Sequence, residues 1–160
     1  MELLGDRLIP APLDVTWAAL NDVDTLKACI PGCESLESTG PDAYSVVVAL
    51  KVGPVSARFK GNLEITNLAP PTSYTINFEG QGGMAGHGKG SADVVLAEES
   101  TTETRLKYTA RAQVGGKIAQ VGSRLIDAAA GKIADTFFKN FEKHLQADID
   151  RAADGDSPSA

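Results

Sequence analysis

The chain has 160 residues and a mass of 16.7 kDa, one domain's worth with little left over. Hydrophobic residues make up 42% and charged residues 22%, which excludes wholesale disorder. Fifteen Lys and Arg against 21 Asp and Glu leave a formal charge of -6, a balance that speaks against nucleic-acid binding or passive adsorption to an anionic membrane.

Met1 to Pro10 lacks the basic start and long apolar run of a signal peptide, and no apolar stretch reaches the ~18 residues of a membrane span. Cys29 and Cys33 are too few for a disulfide framework or a zinc site, so a reducing cytoplasm is the expected compartment.

In chain order, residues 2–9 predict a short strand stopped by Pro10 and Pro12. Asp14 to Leu20 predicts a short helix with Trp17 inward, and a second runs from Asp22 or Asp24 to Ile30, closed by Pro31 and Gly32. The period then falls to two. Tyr44, Val46, Val48 and Leu50 share one face. After a turn at Gly53 and Pro54, so do Val55, Ala57, Phe59, Gly61, Leu63 and Ile65. Tyr74, Ile76 and Phe78, then Ala92, Val94 and Leu96, then Leu106, Tyr108, Ala110, Ala112 and Val114 continue the pattern. One-sided alternation predicts an antiparallel sheet wet on one face and covered on the other.

From Lys117 to about Ile149 the period is helical and no proline intervenes, so one long helix of about 50 Å is expected to cover the sheet. Residues 1–149 thus form a single domain, and 150–160 read as a polar disordered tail.

Candidate chemistry is sparse. Gly83 to Lys89 nearly matches G-x-x-x-x-G-K, but Gly90 stands where a Ser or Thr should hold magnesium. Gly80, Gly82 and Ala85 match the loose pattern G-x-G-x-x-A, yet a strand rather than a helix follows. The stretch reads instead as a mobile glycine hairpin, or a gate over a cavity mouth with Met84 at its centre. His87 and His144 lack metal-ligand spacing, and Cys29 and Cys33 lack the C-x-x-C spacing of a redox pair, so structural thiols are expected. The inward strand faces carry no acid, base or nucleophile beyond the phenols of Tyr44, Tyr74 and Tyr108. Small residues at Ala57, Gly61, Ala110 and Ala112 leave two packings open, a close helix or a hydrophobic cavity.

Several segments resemble a known family. These are residues 11–22 (APLDVTWAALND), 26–36 (LKACIPGCESL), 52–55 (VGPV) and 114–127 (VGGKIAQVGSRLID), together with Phe137 and Phe138. They resemble the CoxG-like family of carbon monoxide dehydrogenase accessory proteins, part of the SRPBCC superfamily, which includes START and Bet v 1-like proteins. The resemblance implies an α+β helix-grip fold, a curved antiparallel sheet around a long C-terminal helix. It implies an accessory protein rather than a redox catalyst, one that accompanies a molybdenum hydroxylase and helps place it at the membrane or binds a hydrophobic acceptor such as a quinone. Longer members append a proline-rich linker and an apolar anchor that this sequence does not contain, so membrane contact is expected to be peripheral, at the inner face of the cell membrane, or through a partner.

The expected function is non-enzymatic binding of a quinone- or lipid-like molecule, without cofactor, metal or catalytic residues. The expected cavity lining is Trp17, Ile30, Phe59, Tyr74, Phe78, Tyr108, Leu125 and Phe137, with Met84 at the entrance. Two rivals are a scaffold that recruits partner proteins without a ligand and a small hydrolase or cyclase of the same fold.

Overall fold

The computed structural model describes the backbone of residues 1–155 and the side chains through Arg151. Period-two alternation builds seven strands: β1 Glu2–Ile9, β2 Cys33–Gly40, β3 Ala43–Val52, β4 Val55–Ala69, β5 Ser73–Gln81, β6 His87–Glu98 and β7 Thr104–Gly115. They form one antiparallel sheet in the order β1-β7-β6-β5-β4-β3-β2, so β2 to β7 is a run of hairpins and β1 closes onto β7. Helices α1 (Leu13–Leu20) and α2 (Val23–Cys29) bridge β1 to β2, and α3 (Ser123–Gly155) follows the sheet. This is the helix-grip architecture expected from the sequence.

β2 is an edge strand that the periodicity does not announce. Two register shifts, between Cys33 and Ser35 and between Ser38 and Gly40, break its alternation, and only Leu36 is buried. The glycine stretch is a hairpin, as expected, and its arms belong to the sheet. Phe78 pairs with Gly90, Gly80 with Gly88 and Gln81 with His87, so β5 and β6 run through it and leave a short 3₁₀ turn at Gly83–Ala85 as the tip.

The long helix begins later than its periodicity suggests. Gly116 and Gly122 adopt φ of 79° and 97°, left-handed values that end any regular helix, and a 3₁₀ turn at Lys117–Val121 lies between them. α3 then runs unbroken through Gly131 to Gly155. The expected tail is therefore helical as far as Gly155, and 156–160 lie outside the described residues.

The core fills one end of the sheet. Phe138, Phe141 and Leu145 of α3 pack with Ile9, Cys29, Tyr74 and Leu106. Phe138 stacks on Tyr108 at 5.6 Å, and Trp17 meets Tyr74 edge-on at 5.4 Å. Asp22 caps α2 by accepting from the Thr25 amide at 3.0 Å, and Asn140 Nδ2 of α3 donates to the Cys29 carbonyl at the other end of α2, at 3.1 Å. Arg7 points inward from edge strand β1, lies 4.9 Å over the Phe138 ring and pairs with Asp135.

Fully buried Thr104 donates to the Ala11 carbonyl at 2.8 Å and ties the β1–α1 corner to β7. Thr104→Val keeps the shape but leaves that carbonyl with only the longer bond from Thr16 Oγ1, at 3.3 Å. It is expected to lower stability by about 1–2 kcal/mol, read as a shifted urea midpoint with unchanged slope.

Candidate functional site

The other end of the sheet is hollow, and the strand register explains why. On the concave face Gly61 of β4 lies opposite Gly80 of β5, and Gly80 opposite Gly88 of β6. Val46 and Val114 flank this row on β3 and β7. Three adjacent strands thus put no side chain on the same rung. Above them, the first half of α3 has no buried residue between Ser123 and Phe137, whereas Phe138, Phe141 and Leu145 in its second half are buried.

The space between is a cavity of about 310 Å³, at the small end of the roughly 300–1,000 Å³ typical of small-molecule sites. Phe59, Leu63 and Phe78 rise from the sheet, Ile30 and Pro31 come from the end of α2, and Ile118 and Ile133 close it from the helical side. Glu79, His87 and Lys89 also border it, but alternation along β5 and β6 turns their side chains to the outer face, where all three are exposed. A larger, open concavity of about 760 Å³ lies on that outer face among Asn62, Glu64, Asn77, Lys89 and Arg111. It is lined by polar and charged residues, so the apolar space between sheet and helix is the better candidate for ligand burial.

The nine side chains expected at the site divide into three groups. Ile30, Phe59 and Phe78 line the cavity. Trp17, Tyr74, Tyr108 and Phe137 pack into the filled end instead. Leu125 is half-exposed at the start of α3, and Met84 stands 92% exposed on the glycine tip. Gly80, Gly88, Ile118 and Ile133 also line the cavity and are not evident from the sequence. The two glycines are hidden because their stretch looks like loop, and the two isoleucines because helical spacing begins before Gly122.

The site offers little to covalent or acid–base chemistry. Burial pushes the Cys29 thiol up to about 11, and burial also raises Cys33, so neither is a ready nucleophile near neutral pH. Burial likewise carries the Tyr74 phenol far above its ordinary value. Among the described residues no buried side-chain polar atom lacks a hydrogen-bond partner, and no group of His, Cys, Asp or Glu is placed to hold a metal. No helix among them is long and apolar enough to cross a membrane.

A family model described as the CoxG subunit of carbon monoxide dehydrogenase matches residues 5–146. The chain belongs to the CoxG family. No curated protein matches it in sequence. Among solved structures it resembles a conserved protein from Geobacillus kaustophilus at 29% identity and TM-score 0.87, covering 92% of this chain and 96% of that one. A START superfamily protein from Mycobacterium smegmatis matches at 12% identity and TM-score 0.71, over 91% and 97% of the two chains. An aromatase/cyclase from a Streptomyces species matches at 14% and 0.67, over 93% and 95%. The last two likenesses show the START-like fold alone, which this CoxG-family chain shares.

The glycine row makes a stability contrast. A Cβ on Gly80 would find only Lys60 O at 3.7 Å and Phe59 Cβ at 3.9 Å, ordinary contacts. On Gly61 it would overlap the Glu79 carbonyl, which is backbone and cannot move aside cheaply. Gly80→Ala is expected to leave the melting temperature within a few degrees, and Gly61→Ala to cost at least about 2 kcal/mol by thermal denaturation.

Proposed function

We propose that this CoxG-family chain is a non-enzymatic carrier that takes the apolar part of a quinone- or lipid-like molecule into the space between the sheet and the first half of α3. In this reading it serves a molybdenum hydroxylase of carbon monoxide dehydrogenase type, from the cytoplasm or the inner face of the membrane, delivering an electron acceptor or aiding membrane association. The observation that carries the reading is the cavity of about 310 Å³ with its glycine floor and aliphatic and aromatic walls. Family membership supports the accessory role.

The lining also says how such a molecule binds. Affinity comes from removing apolar surface from water, at about 25 cal/mol per Å² less the cost of association. No unpartnered buried polar side-chain atom among the described residues waits for a ligand carbonyl, so recognition is by shape and hydrophobicity. The volume admits a ring or a short length of tail rather than a whole long-chain quinone, which leaves the remainder at the mouth.

The test is titration of the purified chain with a menaquinone-type ligand, alongside organic extraction of any lipid that co-purifies. Saturable binding is expected. Gly80→Leu, which fills the floor, is expected to weaken it about tenfold or more, since ~60–80 Å² of lost apolar contact is worth roughly 1.5–2 kcal/mol. Absence of both co-purified lipid and saturable binding would sink the carrier reading.

A further inference from the structure

The two edges of the sheet are unlike. β2 ends it on one side with two register shifts, exposed Glu34 and Glu37, and no exposed large apolar residue. Bulges and free charges are common guards against edge-to-edge association. β1 ends the sheet on the other side and lacks the bulges. It pairs with β7 from Glu2 to Ile9 without a shift, and Leu4 and Leu8 stand 69% and 40% exposed. Its charges are engaged within the chain: Glu2 with Arg111 at 3.9 Å, Asp6 with Arg105 at 3.2 Å, and Arg7 with Asp135.

The hydrogen-bond phase of β1 is fixed at its start. The Met1 nitrogen donates to the Ala112 carbonyl and the Ala112 amide donates to the Met1 carbonyl, both at 3.0 Å. In an antiparallel ladder such pairs alternate with pairs whose backbone groups point away. Leu3, Gly5 and Arg7 therefore bond to β7, and the N–H and C=O groups of Glu2, Leu4, Asp6 and Leu8 point along the free edge. None of these groups has a backbone partner among the described residues.

We propose that two copies of this chain pair β1 against β1, antiparallel about a two-fold axis at Gly5, and so continue the sheet across the interface. In this register Leu4 stands opposite Asp6 of the second copy, and Glu2 opposite its Leu8. The four outward pairs supply about eight backbone hydrogen bonds. On the inner face Arg7 stands opposite Leu3, so no like charges face each other directly. Sliding the register by two residues either way sets Asp6 against Asp6 or against Glu2, which is repulsive. The two Leu4 side chains lie diagonally on the outer face and shield each other from water. At the axis Gly5 has no side chain, and a Cβ there would overlap the chain's own Tyr108 ring, so the two central backbones meet unobstructed. The occupant is a second copy rather than an unrelated strand because the edge complements itself in both hydrogen bonding and charge. Such an isologous contact closes as a dimer, and the bulged β2 edge does not extend it. No residue of β1 lines the cavity, so the pairing is independent of what the cavity holds.

Sedimentation equilibrium of the full chain over a concentration series tests this, with a reversible monomer–dimer equilibrium expected. Leu4→Glu sets a carboxylate opposite Asp6, and Leu4→Pro removes an edge N–H without removing a bond to β7. Each change acts twice across the axis, and each is expected to raise the dissociation constant about tenfold or more. Leu4→Lys sets an ammonium opposite the same carboxylate and is expected to stay within about threefold of the unmodified chain. Glu37→Lys, on the other edge, is expected to leave association unchanged. Melting curves confirm that the variants are folded. If Leu4→Pro does not fold, the contrast between Leu4→Glu and Leu4→Lys still decides. A chain that stays monomeric throughout the series overturns the proposal. So does equal association of Leu4→Glu and Leu4→Lys, or a dimer lost in Glu37→Lys.

Discussion

The structure turns on the absence of side chains along one rung of a sheet. Gly61, Gly80 and Gly88 lie side by side on β4, β5 and β6, so the concave face recedes where most sheets present branched residues to a covering helix. α3 remains helical throughout. Its second half meets Tyr108, Tyr74 and Ile9 and is buried; its first half meets open space. The filled end and the hollow end are consequences of the same register. The glycines are not interchangeable in this. Gly61 is required by its neighbours' backbone, while Gly80 and Gly88 have room for a Cβ, so their smallness matters to the volume above them more than to the ladder itself.

Much of the fold was legible in the residues. Wherever a strand is buried on one face and wet on the other, as from Val55 to Ile65, alternation reported both the strand and its direction. The two short helices were legible through Pro12, Asp22 and the Pro31–Gly32 stop. Legibility ended where local sequence and tertiary pairing disagree. β2 has two bulges and one buried residue, so its pattern carries no period. The glycine stretch has poor strand propensity, and only its pairing with β4 and β7 draws it into the sheet. The helix start was masked because helical spacing of apolar residues continues through the 3₁₀ turn, while the break is set by backbone angles at Gly116 and Gly122.

The cavity was legible as a possibility and not as a place. Small residues on inward faces signalled missing volume, but which aromatic side chains fill it depends on how far α3 slides along the sheet. That position is set by contacts far apart in sequence: Arg7 with Asp135, Asn140 with the Cys29 carbonyl, and Thr25 within 3.2 Å of His144. They hold α3 from Asp135 onward, and four of the expected lining aromatics are drawn into the core there.

This division of labour along α3 separates two properties that are often coupled. The aromatic cluster, the α2 caps and the Arg7 contacts supply cohesion at one end, and none of those residues lines the cavity. The cavity end contributes few buried contacts, so enlarging or filling it changes little of what holds the domain together. A hollow of this size would be a liability in the middle of a core, because unfilled volume forfeits both dispersion and transfer energy. Placed beyond the buried turns of the helix, it weakens only the region around the proposed ligand space. Global stability and occupancy of the space can therefore vary independently, which is the condition for a small domain to take up and release an apolar molecule without unfolding.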